Sequence, residues 1–334
     1  MTTDSDARFR LAGSQVLEER ASQIAVLSRG VLDVTDPAAA NDLWLAARRL
    51  RAALEVFRSC LGRTEFRDGR AEARRISRAA GERRDADVAI TIYESVLEET
   101  GNAEAEGLER VIATLRREQA RANRALAQVV HGRRIQAFRV RMEEIIDSTV
   151  ESDAIERAEQ YRPVEILPFE ATALIGKRLD RLRREAGAGL ESDGVDAQHR
   201  MRVAAERLRY ALELTGDALG SQAHTARRAA RGLQDVLGEI RDCDLAVPPA
   251  RQVIGELERE DVETIITRGR GSRDLDPILV QAAPNRAAYR GVELAVVHLL
   301  ARRQMLFERF KRLWLEQSRQ GVWVALDTSL KVES

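Results

Sequence analysis

Cysteine, lysine, proline and aromatic residues are all scarce in this 334-residue chain, and each shortage closes a route. Cys60 and Cys243 supply no disulfide framework and too few thiols for a Cys-rich metal site, so both read as small apolar packers. Four scattered histidines do not make up the deficit; His131, His224 and His298 have no partner at metal-like helical spacing. No run approaches the roughly 18 unbroken apolar residues of a membrane span. The opening MTTDSDARFR has no apolar secretory stretch, which makes a cytoplasmic location the expectation. P-loop, His-Glu-x-x-His and Gly-x-Ser-x-Gly patterns are missing. The expectation is therefore a protein without catalysis, metal or cofactor.

What is present is an apolar fraction of 44% beside a charged fraction of 32%, enough for buried cores under an ionic surface. With seven prolines and long Ala/Leu/Arg/Glu stretches whose apolar residues recur at three and four, the fold class is all-α. Helices are expected near 8–34, 40–61, 69–99, 103–147, 168–187, 196–216, 221–246, 250–262 and 284–318. The stretch from Asp147 to Pro168 loses the periodic pattern and reads as a linker between an N-terminal half, 1–150, and a C-terminal half, 151–334. Arg268 to Pro284 reads as a second irregular loop.

Two strings recur in the same order. Arg49-Leu50-Arg51-Ala52-Ala53-Leu54-Glu55 returns as Arg207-Leu208-Arg209-Tyr210-Ala211-Leu212-Glu213, an offset of 158 residues. Gly81 to Ala89 returns as Gly238 to Ala246 at an offset of 157. The expectation is a pair of helical bundles built on one plan. On a helical wheel Met201, Ala205, Leu208 and Leu212 form an apolar stripe, and His199, Arg202, Glu206 and Arg209 lie together on the opposite face. In the earlier copy Leu43, Ala47, Leu50 and Leu54 form the stripe, while Asn41, Trp44, Arg48 and Arg51 take the polar positions.

The net charge is zero, so distribution decides what the charge can do. Of the 54 basic residues 51 are arginine, whose planar fork suits phosphate or carboxylate. From Asn41 to Arg84 twelve arginines stand against six acids, and from Ala197 to Arg241 eight stand against five. Positive charge is thus gathered on the recurring helices. A solvated face of i,i+4 pairs such as Arg51 with Glu55 is the plain structural reading. An anion-binding groove is the functional one.

His-x-x-Arg, then Arg-Leu-Arg, then Arg-Asp-x-Asp resembles the CHAD family, the conserved histidine α-helical domains. His199, Arg202, Arg207, Arg209 and Arg241-Asp242-Cys243-Asp244 carry the likeness in one half. Arg48, Arg49, Arg51 and Arg84-Asp85-Ala86-Asp87 carry it in the other, and Lys177, Arg178, Arg181 and Arg184 fall in the family order. The resemblance implies two four-helix bundles facing a basic channel that binds inorganic polyphosphate or another linear polyanion, and association with polyphosphate granules.

In that picture the channel residues are Arg48, Arg51, Lys177, Arg178, Arg181, His199, Arg202, Arg207 and Arg209. Arg74, Arg75, Arg78, Arg227, Arg228 and Arg231 line one face of the next helix in each half. Asp85, Asp87, Asp242 and Asp244 would hold channel arginines in place. Asn41 stands where the family has its histidine, Trp44 where an arginine is expected, and Glu206 in a slot usually basic. Those departures keep open a helical scaffold, or protein-interaction module, whose arginines pair with carboxylates. Some members of the family are fused to a triphosphatase domain of the CYTH kind, which carries Glu-x-Glu-x-Lys; the nearest string, Glu104-Ala105-Glu106-Gly107-Leu108, lacks the lysine and lies in a helical stretch. Nucleic acid is disfavoured because stacking aromatics are few.

Overall fold

The computed structural model describes residues 2–149, 169–271 and 274–332. The expected linker therefore lies, from residue 150 onward, outside the described residues. The helices are α1 (Thr2–Leu27), α2 (Pro37–Val56), α3 (Arg63–Glu98), α4 (Asn102–Val130), α5 (Gly132–Asp147), α6 (Phe169–Gly189), α7 (Val195–Arg268), α8 (Pro277–Gln281), α9 (Arg286–Arg319) and α10 (Val322–Val332). A single 3-10 turn, Arg58–Cys60, follows α2. No strand occurs among the described residues, and the fold is all-α.

Local chemistry explains most boundaries. Asp36 caps α2 by accepting from the Ala38 amide at 3.0 Å, with Pro37 at the first helical position, where its missing N–H has no intrahelical role. His131 adopts an extended conformation and divides the expected 103–147 helix into α4 and α5. Gly220, at φ 71°, breaks α7 into two arms where a break was expected, since glycine adopts that conformation without a Cβ clash.

The break expected between 246 and 250 is absent, and α7 runs through Pro248 and Pro249. Beside this pair the buried Tyr93 hydroxyl donates to the Ala246 carbonyl at 2.7 Å. The two prolines leave the Asp244 and Leu245 carbonyls, four residues back, without helical donors; the Ala246 carbonyl is the next one along, so the Tyr93 bond anchors the helix beside this point rather than replacing either lost bond. The expected Arg268–Pro284 loop contains the short α8, capped by Asp276. The sequence reading also missed α10; Gly321, at φ 70°, ends α9 and lets the chain restart.

The chain divides into two compact units. One comprises Met1–Arg84, Asn123–Gly238 and Phe307–Ser334, and the other Asp85–Ala122 and Glu239–Leu306. Each draws on both sides of residue 150. The first carries 40 basic residues against 34 acidic, the second 14 against 20.

In the first unit α1 packs on α2 and α5, and α10 packs on α6. Its core contains both expected stripes: Leu43, Ala47, Leu50 and Leu54 of α2, and Met201, Ala205, Leu208 and Leu212 of α7 are all buried. Trp314 and Trp323 stack at 5.8 Å between ring centroids. In the second unit Leu108, Val111, Leu115, Val253, Leu257, Val292 and Leu299 are buried. There α4 and α9 cross at glycine. A Cβ on Gly107 would meet the Ala288 carbonyl, and one on Gly291 the Glu104 carbonyl, so only hydrogen fits.

Candidate anion-binding groove

Two environments hold most of the expected arginines of the first unit, and helix geometry creates the first. Arg67, Arg70, Arg74 and Arg78 lie at i, i+3, i+7 and i+11 of α3, a spacing that puts them on one stripe. With Arg75 they line a groove of about 700 Å³ whose remaining walls are Phe66, Ala71, Ala79, Glu82, Ala125 and Val129. Arg75 pairs with Glu72 one turn away, and Arg78 reaches Glu82 at 3.1 Å. Both are local pairs in or near solvent, where an ion pair contributes little and a multivalent anion competes readily.

A second cavity of about 450 Å³ adjoins the first through Phe66 and Arg70, which line both. Arg58, Lys177, Arg178, Arg181 and Arg207 form its basic wall, Leu174 and Ala204 its apolar one, and Glu55 is its carboxylate. Together the two cavities present ten basic side chains and two carboxylates, Glu55 and Glu82. Asp68, Glu72 and Glu185, outside the linings, pair with Arg67, Arg75 and Arg181, and the basic excess that remains raises local anion concentration even though the chain is neutral overall.

The second environment is a part-buried ion-pair lattice centred on α2 and the first arm of α7. Glu206, 1% exposed, pairs with Arg48 and lies 3.9 Å from Arg202. Glu213 receives Arg209 at 3.1 Å, Arg20 at 3.6 Å and Arg49 at 3.8 Å. Glu55 binds Arg178 at 2.7 Å, Arg70 at 3.4 Å and Arg51 at 3.9 Å, and Arg178 also donates to the Arg207 carbonyl at 2.8 Å.

Burial pushes the Arg51 and Arg178 guanidinium groups below their ordinary values, with Glu55 opposing the shift in both. The Tyr210 phenol, buried near Glu206, is pushed up to about 12. Trp44 is ringed by cations, with Arg48, Arg84 and Arg202 at 4.6, 5.7 and 5.8 Å from its centroid.

The expected residues are thus sorted by depth. Arg74, Arg75 and Arg78 come together in the larger groove, and Lys177, Arg178, Arg181 and Arg207 in the adjoining cavity. Arg48, Arg51, Arg202 and Arg209 sit in the lattice. His199 is half-buried on the first arm of α7 and lines neither cavity. Arg227, Arg228 and Arg231 ride on the second arm, where Arg228 donates to Thr225 and Arg231 pairs locally with Asp235; they also line neither cavity.

Asp85, Asp87, Asp242 and Asp244 belong to the second unit. Asp87 accepts from Gln119 at 2.7 Å, and Asp244 accepts from Arg303 at 2.6 Å. Arg58, Phe66, Arg67 and Arg70 line the cavities but were not singled out from sequence. The 67, 70, 74, 78 spacing was a readable signal for two of them. Arg58 was not, because it leaves the wheel of α2 through the 3-10 turn and seats its guanidinium 4.6 Å from the Phe66 centroid.

Among the described residues no group of three or more His, Cys, Asp or Glu side chains is arranged to hold a metal ion. None of their helices is long and apolar enough to cross a membrane.

Two solved structures share the fold. The crystal structure of the CHAD domain from the plant Ricinus communis aligns with a TM-score of 0.55 at 20% identity, covering 98% of this chain and 93% of that one. PptA from Streptomyces chartreusis aligns with a TM-score of 0.57 at 16% identity, covering 91% and 99%. No curated protein sequence matches the chain. The family model described as CHAD domain matches residues 15–248, a span that includes α2, α3, α6 and the first arm of α7, which carry the basic groove and the ion-pair lattice, and the chain belongs to that family.

Proposed function

We propose that this protein binds inorganic polyphosphate, or another linear polyanion, in the groove of the first unit and performs no catalysis on it. The observation that carries the reading is the pair of neighbouring cavities that share Phe66 and Arg70 in their walls, with ten basic side chains and two carboxylates in the combined linings. A linear polyanion with about one charge per phosphate suits a row of forked donors, and its binding releases counterions. Phe66 is the one aromatic side chain of the two linings, too thin a platform for base stacking, so nucleic acid is the poorer fit. A cytoplasmic location, with recruitment to polyphosphate granules, follows as part of the same proposal.

Titration calorimetry with long-chain polyphosphate tests it. Tight, salt-sensitive binding without phosphate release is expected, lost on Arg74→Glu with Arg78→Glu; unchanged binding in that variant removes the groove from the proposal. A scaffold whose arginines serve its own carboxylates is the second reading, favoured by Glu206, Glu213 and Glu55 in the lattice. It predicts no polyphosphate response in the native chain.

A further inference from the structure

The 158-residue offset that aligns Arg49–Glu55 with Arg207–Glu213 also aligns Arg48 with Glu206 and Trp44 with Arg202. In the fold these aligned positions meet. Arg48 pairs with Glu206, and the Arg202 guanidinium lies 5.8 Å from the Trp44 centroid. Each aligned pair therefore combines one basic side chain with a group that attracts it. Glu206 spans both pairs, because its second carboxylate oxygen faces Arg202 at 3.9 Å. Among the described residues that oxygen has no hydrogen-bond partner, and neither has the buried Tyr210 hydroxyl one turn further on.

A carboxylate between two guanidinium groups presents the oxygen pair that a phosphate would present. We propose that Glu206 is an internal anion that takes the place of a ligand phosphate between Arg48 and Arg202 and confines polyanion contact to the groove lined by α3 and α6. This rests on the groove reading above and adds a specificity device to it. The native chain, on this view, uses fewer cations than its sequence offers. Removing one negative charge would return two arginines to the ligand.

The test is the dependence of long-chain polyphosphate affinity on salt for the native chain, Glu206→Gln, and Arg48→Ala combined with Glu206→Gln. Glu206→Gln keeps the shape and removes the charge. Its affinity should rise roughly tenfold at 0.1 M salt, with the log–log salt slope steeper by about one, since each phosphate contact contributes roughly 0.7 to 0.9. In the double variant about half of that extra slope should disappear, a change that mere loosening of the fold would not produce. Native-like slope and affinity in Glu206→Gln overturn the inference, as does a gain untouched by Arg48→Ala.

Should the native chain bind only through the α3 groove and Glu206→Gln match it, this inference alone falls. Binding acquired by Glu206→Gln in a chain otherwise silent to polyphosphate would support the internal anion and reject the groove reading. No binding by either rejects both. If Glu206→Gln fails to fold, Glu206→Asp, which withdraws the carboxylate by one methylene, is read the same way for an intermediate slope.

Discussion

Arg178 and Arg78 carry the same guanidinium under opposite conditions. The Arg178 side chain is 7% exposed, holds Glu55 at 2.7 Å and donates to a backbone carbonyl. The Arg78 side chain is 82% exposed and pairs with Glu82, one turn along its own helix. A guanidinium taken out of water needs its own carboxylate and carbonyl oxygens, and becomes part of the architecture. One left in a groove keeps its charge for a ligand. The same unit uses both arrangements, so a count of arginines overstates what a polyanion can reach.

That contrast gives ordered expectations. The largest is for Arg178→Ala, which leaves the part-buried Glu55 beside an incomplete set of partners and the buried Arg178 site empty; chemical denaturation should show a loss of about 3 kcal/mol. Next is Arg74→Glu with Arg78→Glu, expected to cost roughly 100-fold in polyphosphate affinity by calorimetry. Its folding stability should stay within about 0.5 kcal/mol of native, because both positions are on a solvated face. A loss of stability as large as that of Arg178→Ala would erase the distinction between the two sets.

Gly107→Ala serves as a control in the second unit. The added methyl meets the Ala288 carbonyl, so thermal melting should fall by an amount equivalent to about 2 kcal/mol, while affinity in the folded protein is unchanged. The smallest effect is expected for Phe66→Leu. Losing the ring that Arg58 packs over, at 4.6 Å, should weaken polyphosphate about twofold, as an exposed cation–π contact contributes roughly 0.5 kcal/mol.

Sequence periodicity made the buried stripes of α2 and α7 readable, down to Leu43, Leu50, Met201 and Leu208, because helix phase alone decides which face meets the core. It also made the stop at Gly220 readable, since glycine removes the steric barrier to a positive φ. Depth was not readable. A wheel places Arg48 and Arg78 alike on polar faces, and nothing local announces that Glu206, far along the chain, will meet the first. Continuity through Pro248 and Pro249 was hidden for the same reason. The contact beside the prolines is as remote in sequence, its hydroxyl coming from Tyr93, 153 residues earlier. Family resemblance pointed to the basic helices, yet it carried no information on which arginines are already engaged.

Division of labour between lattice and groove is tested most directly by the salt dependence of long-chain polyphosphate binding, measured side by side for Arg74→Glu with Arg78→Glu and for Arg209→Gln. The account predicts that the groove variant loses most of its affinity and flattens the slope by two contacts or more, whereas Arg209→Gln, whose guanidinium already serves Glu213 and Gln234, keeps the native slope. A slope that falls with Arg209→Gln and survives the groove reversal would contradict it.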